Sequence, residues 1–181
     1  AVGFAISTIL LLVIGGLAYL SIVSLVDTSF EVTHTYTVLD RINAVLRAMQ
    51  DAETGGRGFV ITGEASYLEP YTNGTEAVDG LVADLRSLTS DNPNQQRRID
   101  ELEPLIASKI EQLQANIDTR RNSGLEAAVQ LVNTGTGKQY MDEIRSVLGE
   151  MEQEENNLLA QRAAEVESSS NAGKSIIIWG T

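Results

Sequence analysis

Apolar positions along this chain recur at alternating steps of three and four. Leu39, Ile42, Leu46, Met49, Glu53, Gly56 and Val60 make one such seam, and Met141, Ile144, Leu148, Met151, Glu155, Leu158 and Arg162 make a second. Spacing of this kind puts side chains on one face of a helix that packs lengthwise on a partner. Between the seams, Tyr71, Val78, Leu81, Leu85 and Leu88, then Ile99, Leu102, Ile106, Leu113 and Ile117, repeat at helical intervals. No stretch alternates with period two for long enough to make a sheet. The pattern predicts an all-α chain.

Its punctuation divides the helices. Thr62-Gly63 ends the first, since glycine accepts the left-handed conformation past a helix end. Ser66 and Glu69 have capping-box spacing for the second, although Pro70 allows a start at Pro70 itself. Asn92-Pro93 opens the third, with Gln95 placed to complete another capping box. Asn122-Ser123-Gly124 ends it. A short helical patch, Leu125 to Val132, precedes a last break at Asn133 to Gly137. Asp27 to Thr62 and Lys138 to Gly173 are equal in length, each about 54 Å as helix. An antiparallel four-helix bundle follows, with the patch folded over its far end.

The two ends are different in kind. Ala1 to Val26 carries no charged side chain, and as a helix it rises about 39 Å, more than the roughly 30 Å of a bilayer core. A cleaved signal peptide has a shorter apolar core of roughly 7–15 residues, so an uncleaved anchor is expected. Ile176, Ile177, Ile178 and Trp179 read as the opening of a second crossing, or else as a frayed apolar tail. The expected division is membrane helix 1–26, polar bundle 27–173, and start of a second membrane helix 174–181. Asp27 and Glu31 follow the first apolar run, and no Lys or Arg appears before Arg41. Cytoplasmic flanks favour Lys and Arg, so the bundle is expected outside the cytoplasm.

The net charge of −12 argues against a nucleic-acid partner, which needs a basic face. With no cysteine, disulfides and thiolate metal sites are excluded. No nucleophile-and-base pair or zinc spacing is visible, so neither catalysis nor a cofactor or metal is expected. Gly135-Thr-Gly-Lys138 is only superficially like a phosphate loop, lacking the preceding strand and full spacing. The single histidine, His34, is expected on the surface. Lys109 falls on the apolar side of the third helix and is expected to snorkel to its edge. Asn73-Gly-Thr75 is a formal glycosylation sequon, read as coincidence.

Charges on the seams carry the sharpest expectation. Glu53, Glu155 and Arg162 stand where a core prefers leucine, and a buried charge needs a partner. Glu53 and Arg57, four apart, share a helix face. Counted from the far end of the bundle, Arg57 and Arg145 lie at nearly equal height. A contact of Glu53 with Arg145, or an ionic cluster of Glu53, Arg57 and Arg145, is therefore predicted. Its role would be to fix helix register, or alternatively to hold an anionic ligand at the arginine pair.

The block from Asp51 to Tyr71 is unusual for a helix, because Gly55, Gly56 and Gly58 each cost roughly 0.8–1 kcal/mol against alanine. Asp51-Ala-Glu-Thr-Gly55, Arg57-Gly58, Thr62-Gly63, Tyr67-Leu68 and Pro70-Tyr71 together resemble the signature of the CHASE family, type three. Further similarity runs through Arg120, Gly124, Gly137-Lys138, Met141-Asp142, Ile144-Arg145, Glu155 and Arg162, with Gly56 standing where a polar residue is common. The resemblance implies an extracytoplasmic four-helix sensor bundle between two membrane helices of a bacterial receptor. Its output domain would be cytoplasmic, most often a histidine kinase, and the receptor a homodimer. It names no ligand. Partners expected are the lipid bilayer, a second copy and an unknown stimulus or small molecule. The competing reading is a passive relay or dimerisation module with no ligand of its own.

Overall fold

The computed structural model describes the backbone of residues 2–179, and the side chains of residues 3–164 apart from 5–7, 9–11, 21 and 25. Helix α1 spans Val2–Thr62, α2 Leu68–Leu88, α3 Pro93–Val132 and α4 Thr136–Trp179, with a single 3-10 turn, Ala65–Tyr67, between α1 and α2. The chain divides into two compact units, Val38–Glu155 and the pair of segments Ala1–Thr37 and Asn156–Thr181.

Within Val38–Glu155 the four helices form the expected bundle. Its core joins Val38, Ile42, Val45 and Met49 to Val78, Val82 and Leu85, to Ile99, Leu102 and Ile106, and to Met141, Ile144, Leu148 and Met151. Seam positions Ile42, Met49, Val60, Met141, Ile144, Leu148 and Met151 are buried, while Leu39 and Leu46 are half-buried. Cross-helix contacts fix direction. Arg41 pairs with Asp84 at 3.5 Å while Gly55 lies against Tyr71, so α2 runs antiparallel to α1. Arg86 bonds Asp100 at 2.7 Å and Tyr71 bonds Gln114 at 2.9 Å, so α3 is antiparallel to α2. Gln95 reaches the Met151 carbonyl at 3.1 Å and Lys109 the Gly137 carbonyl at 2.8 Å, which makes α4 antiparallel to α3.

The breaks form largely where the turn chemistry puts them. Gly63 takes φ +76 after Thr62. The Asn92 side chain accepts from the N–H groups of Asn94 and Gln95 at 3.0 and 3.2 Å, capping α3 with Pro93 in its first turn. Gly124 takes φ +85 and ψ −177, a non-helical residue inside α3, and the patch beyond it turns back so that Ala128 is buried. Two capping expectations are corrected. No side chain caps α2, because the Glu64 N–H goes to the Thr62 hydroxyl at 3.1 Å and the Tyr67 N–H to the Glu64 carbonyl at 3.1 Å. The Gln95 side chain does not return to its own helix start; it is buried among α4 atoms. Pro104 stands on the exposed side of α3, where the donor it lacks leaves a carbonyl facing water.

In the other unit, the first segment contains a helix long and apolar enough to cross a membrane. Phe4, Leu12, Leu20, Ile22 and Phe30 are exposed along it. Thr8 and Thr28 fold their hydroxyls onto the carbonyls of Phe4 and Ser24, both at 2.9 Å, which removes a polar group from an apolar surface. Arg162 donates to the Glu31 carbonyl at 2.9 Å and also bonds the Glu31 carboxylate and the Thr35 hydroxyl. The α4 backbone is helical through Trp179, and the side chains from Ser175 onward, on which the second crossing was expected, lie outside the described residues.

Candidate functional site

The glycines of the Asp51–Tyr71 block let two helices meet. A Cβ on Gly55 would lie 2.5 Å from the Tyr71 backbone nitrogen and 2.9 Å from the Tyr67 carbonyl. One on Gly58 would lie 2.6 Å from the Tyr67 ring. The helix-propensity cost of these residues is therefore offset by close packing of α1 on the start of α2. The Thr62 hydroxyl bonds the Gly58 carbonyl at 2.8 Å, and Arg120 from α3 bonds the Val60 carbonyl at 2.9 Å, satisfying an acceptor at the end of α1. Leu68 is half-buried, while Pro70 and Asp51 are exposed. Gly74, which the sequence did not single out, is buried against the Ala48 carbonyl and Ala52.

Beside this corner lies the charged cluster, and its composition corrects the expectation. Arg145 does not contact Glu53; it pairs with Asp142 on its own helix at 3.0 Å, and Lys138 pairs with the same carboxylate. The partner of Glu53 is Lys109, at 3.1 Å, with Arg57 at 3.8 Å. Lys109 does not snorkel. It is 1% exposed and spends a second donor on the Gly137 carbonyl. The reason is its place in the series Leu102, Ile106, Lys109, Leu113, which puts it on the buried face of α3, where Glu53 of α1 and the Gly137 carbonyl of α4 meet its ammonium group. That spacing was the available signal for its burial. Desolvation lowers the Lys109 pKa; Glu53 opposes the shift, and the charges of Arg57 and Arg145 reinforce it.

Around Lys109 opens a cleft of about 330 Å³ bounded by α1, α3 and the beginning of α4. Its walls hold four basic side chains, Arg57, Lys109, Lys138 and Arg145, against two acidic ones, Glu53 and Asp142. Asn116 and Gln112, one turn apart on α3, line it too, and the amide oxygen of each is buried without a hydrogen-bond partner. Gly137 takes the place where a Cβ would press on the Gln112 amide. Lys138 follows Gly135, but among the described residues no strand precedes that turn, so it is no phosphate loop.

The remaining seam charges lie apart from the cleft. Glu155 is 3% exposed and accepts from the Gln95 amide at 2.9 Å. Arg162 is held by Glu31 and Thr35 as described above. His34 is exposed. Among the described residues, no group of three or more His, Cys, Asp or Glu is arranged to hold a metal.

Four antiparallel helices with this corner and this cluster define a helical bundle. Residues 28–165 match the CHASE3 domain, and the chain belongs to the CHASE3 family. The chain is also similar to the sensor domain of the histidine kinase HK9 from Rhodopseudomonas palustris. The two share 28% sequence identity with a TM-score of 0.64, over 70% of this chain and 98% of that one. Among curated proteins, none matches.

Proposed function

We propose that this sensory domain is the signal-transmission part of a transmembrane receptor. Residues 1–26 anchor it, 27–173 stand outside the cytoplasm, and 174–181 open a return crossing toward a cytoplasmic output domain of the histidine kinase type. The observation that carries this reading is the continuity of α1. One unbroken helix, Val2–Thr62, holds both the uncharged stretch and the core positions Ile42, Met49 and Val60. A continuous helix of this kind is suited to transmit displacement along its length. Packed helix pairs have a few discrete arrangements, separated by shifts on the order of 1–2 Å. Arg162, bonded to Glu31 and Thr35, links α4 to α1 and is suited to hold one arrangement.

The HK9 likeness supports the kinase output, and the acidic flank Asp27 and Glu31 supports the orientation. We also propose a homodimer. Gly15 and Gly16 have open space where a Cβ would stand, which gives a second apolar helix room for close approach.

The test joins the whole chain to a kinase output domain in vesicles. Arg162→Ala is expected to shift autophosphorylation at least threefold with the urea midpoint of the bundle unchanged. An unaltered output would remove the α1–α4 relay. Because the chain has no native cysteine, Gln50→Cys reports topology directly. Labelling of intact cells by a membrane-impermeant maleimide is expected, and protection from it would place the bundle inside.

A further inference from the structure

A polar group that only sets helix register has its hydrogen bonds met within the bundle. Among the described residues Arg41 Nε, Gln95 Oε1, Gln112 Oε1 and Asn116 Oδ1 depart from that rule, and the last two belong to one cleft, around Lys109. Asn116 is 4% exposed, and its amide oxygen has no partner; one turn away, the Gln112 oxygen is in the same condition. Leaving a buried polar atom unmet carries the full penalty of its lost hydration. Two such atoms on side chains that line one cavity are a standing demand for hydrogen-bond donors.

Charge makes the complementary demand. The chain is acidic overall, at −12, yet the cleft wall is cationic in balance. Arg57 reaches Glu53 only at 3.8 Å and is largely in solvent, and Arg145 shares Asp142 with Lys138. Both guanidinium groups therefore retain donors for a bidentate acceptor. Gly137 and Lys138 lie in the first turn of α4, where the helix dipole adds positive potential. A volume of about 330 Å³ is at the small end for ligand pockets.

We propose that this cleft binds a small organic carboxylate bearing a hydroxyl or amino group, its carboxylate on Arg57 and Arg145 and its donor on the Asn116 and Gln112 oxygens. Such a ligand would touch α1, α3 and α4 together. It would thus favour one α1–α4 arrangement over another, which is the differential contact a stimulus needs. Sulfate lacks the donor, and neutral polyols lack the charge. The signalling consequence rests on the receptor reading above, whereas the binding does not.

The experiment is titration calorimetry on the full chain in detergent with L-lactate, L-malate, L-serine and L-aspartate, with sulfate and glycerol as comparisons. Saturable binding of at least one of the four is expected, weakened tenfold or more by Asn116→Leu and by Arg145→Ala, and unaffected by Arg41→Ala. Asn116→Leu replaces a buried unmet amide with an apolar side chain, and Arg145 is on the surface, so both variants retain the fold. Absence of saturable binding by all four would overturn the site, as would equal affinity for sulfate or glycerol, or unchanged binding in both variants. None of these results touches the relay, which Arg162→Ala tests separately. Binding without a change in kinase output would support the site and count against the sensory reading.

Discussion

Lys109 Nζ stands 3.1 Å from Glu53 Oε1, and this ion pair joins α3 to α1 in the interior of the bundle. The lysine side chain is 1% exposed and the glutamate 16%, so neither charge is fully hydrated. Removing one partner of such a pair strands the other. Lys109→Met is expected to destabilise the bundle by roughly 3 kcal/mol, at the lower end of the range for buried pairs because Glu53 keeps some contact with water. The double variant Lys109→Met, Glu53→Leu is expected to recover more than half of that loss. Urea denaturation of the four members of the cycle measures the coupling, and additive losses would show that the pair is not coupled.

The same lysine sets a pH dependence. Its folded pKa is below the ordinary 10.5, chiefly through desolvation, so the folded state binds fewer protons than the unfolded one. The charged groups that act on it are Glu53 and Arg57 from α1 and Arg145 from α4. A depressed lysine pKa costs stability while both states are protonated, and that cost is relieved as pH rises through the folded pKa toward 10.5. The difference in stability between the wild type and Lys109→Met is therefore expected to widen in favour of the wild type from pH 7 to pH 10. A difference independent of pH would show that the lysine is not desolvated.

Glycine contacts between α1 and α2 give opposite signs at two positions. Gly→Ala in a helix gains roughly 0.8–1 kcal/mol of propensity. At Gly80, with nothing within 4 Å of the new methyl group, that gain is expected in full. At Gly55 the methyl would meet backbone atoms of Tyr71 and Tyr67 that cannot rotate away. Overpacking of about 1–3 kcal/mol is expected to exceed the gain and lower the melting temperature. Thermal melts by circular dichroism compare the two, and a stabilised Gly55→Ala would refute close packing at this corner.

Asn92 caps α3 and also donates from its amide to Glu154 Oε1 at 2.8 Å. Asn92→Ala is expected to cost about 1–2 kcal/mol. Asn92→Asp would ordinarily be neutral for the cap, but here it sets a carboxylate against Glu154. It is expected to lower stability at pH 7 by urea titration, and a neutral result would show that the Glu154 contact is unimportant.

The bundle was legible in the sequence because burial obeys periodicity. Ile42, Met49, Val60, Met141, Ile144, Leu148 and Met151 are all in the core, and a three-and-four rhythm has few other outlets. Asn92 capping followed from local chemistry, since the cap acts within three residues of itself. The block from Gly55 to Tyr71 was recognisable as a unit, although the sequence did not say that its glycines seat the backbone of α2.

What the sequence alone determined was therefore local: helix faces, turn residues and the uncharged run at the start. Pairing of charges across helices was decided by the fold. Relative height along the bundle suggested Arg145 for Glu53, but height does not fix the angle about each helix axis. Packing turned Arg145 outward to Asp142 and brought Lys109 inward to Glu53. The unmet oxygens of Asn116 and Gln112 likewise exist only once three helices enclose them, because being unpaired is a property of surroundings and not of residue type.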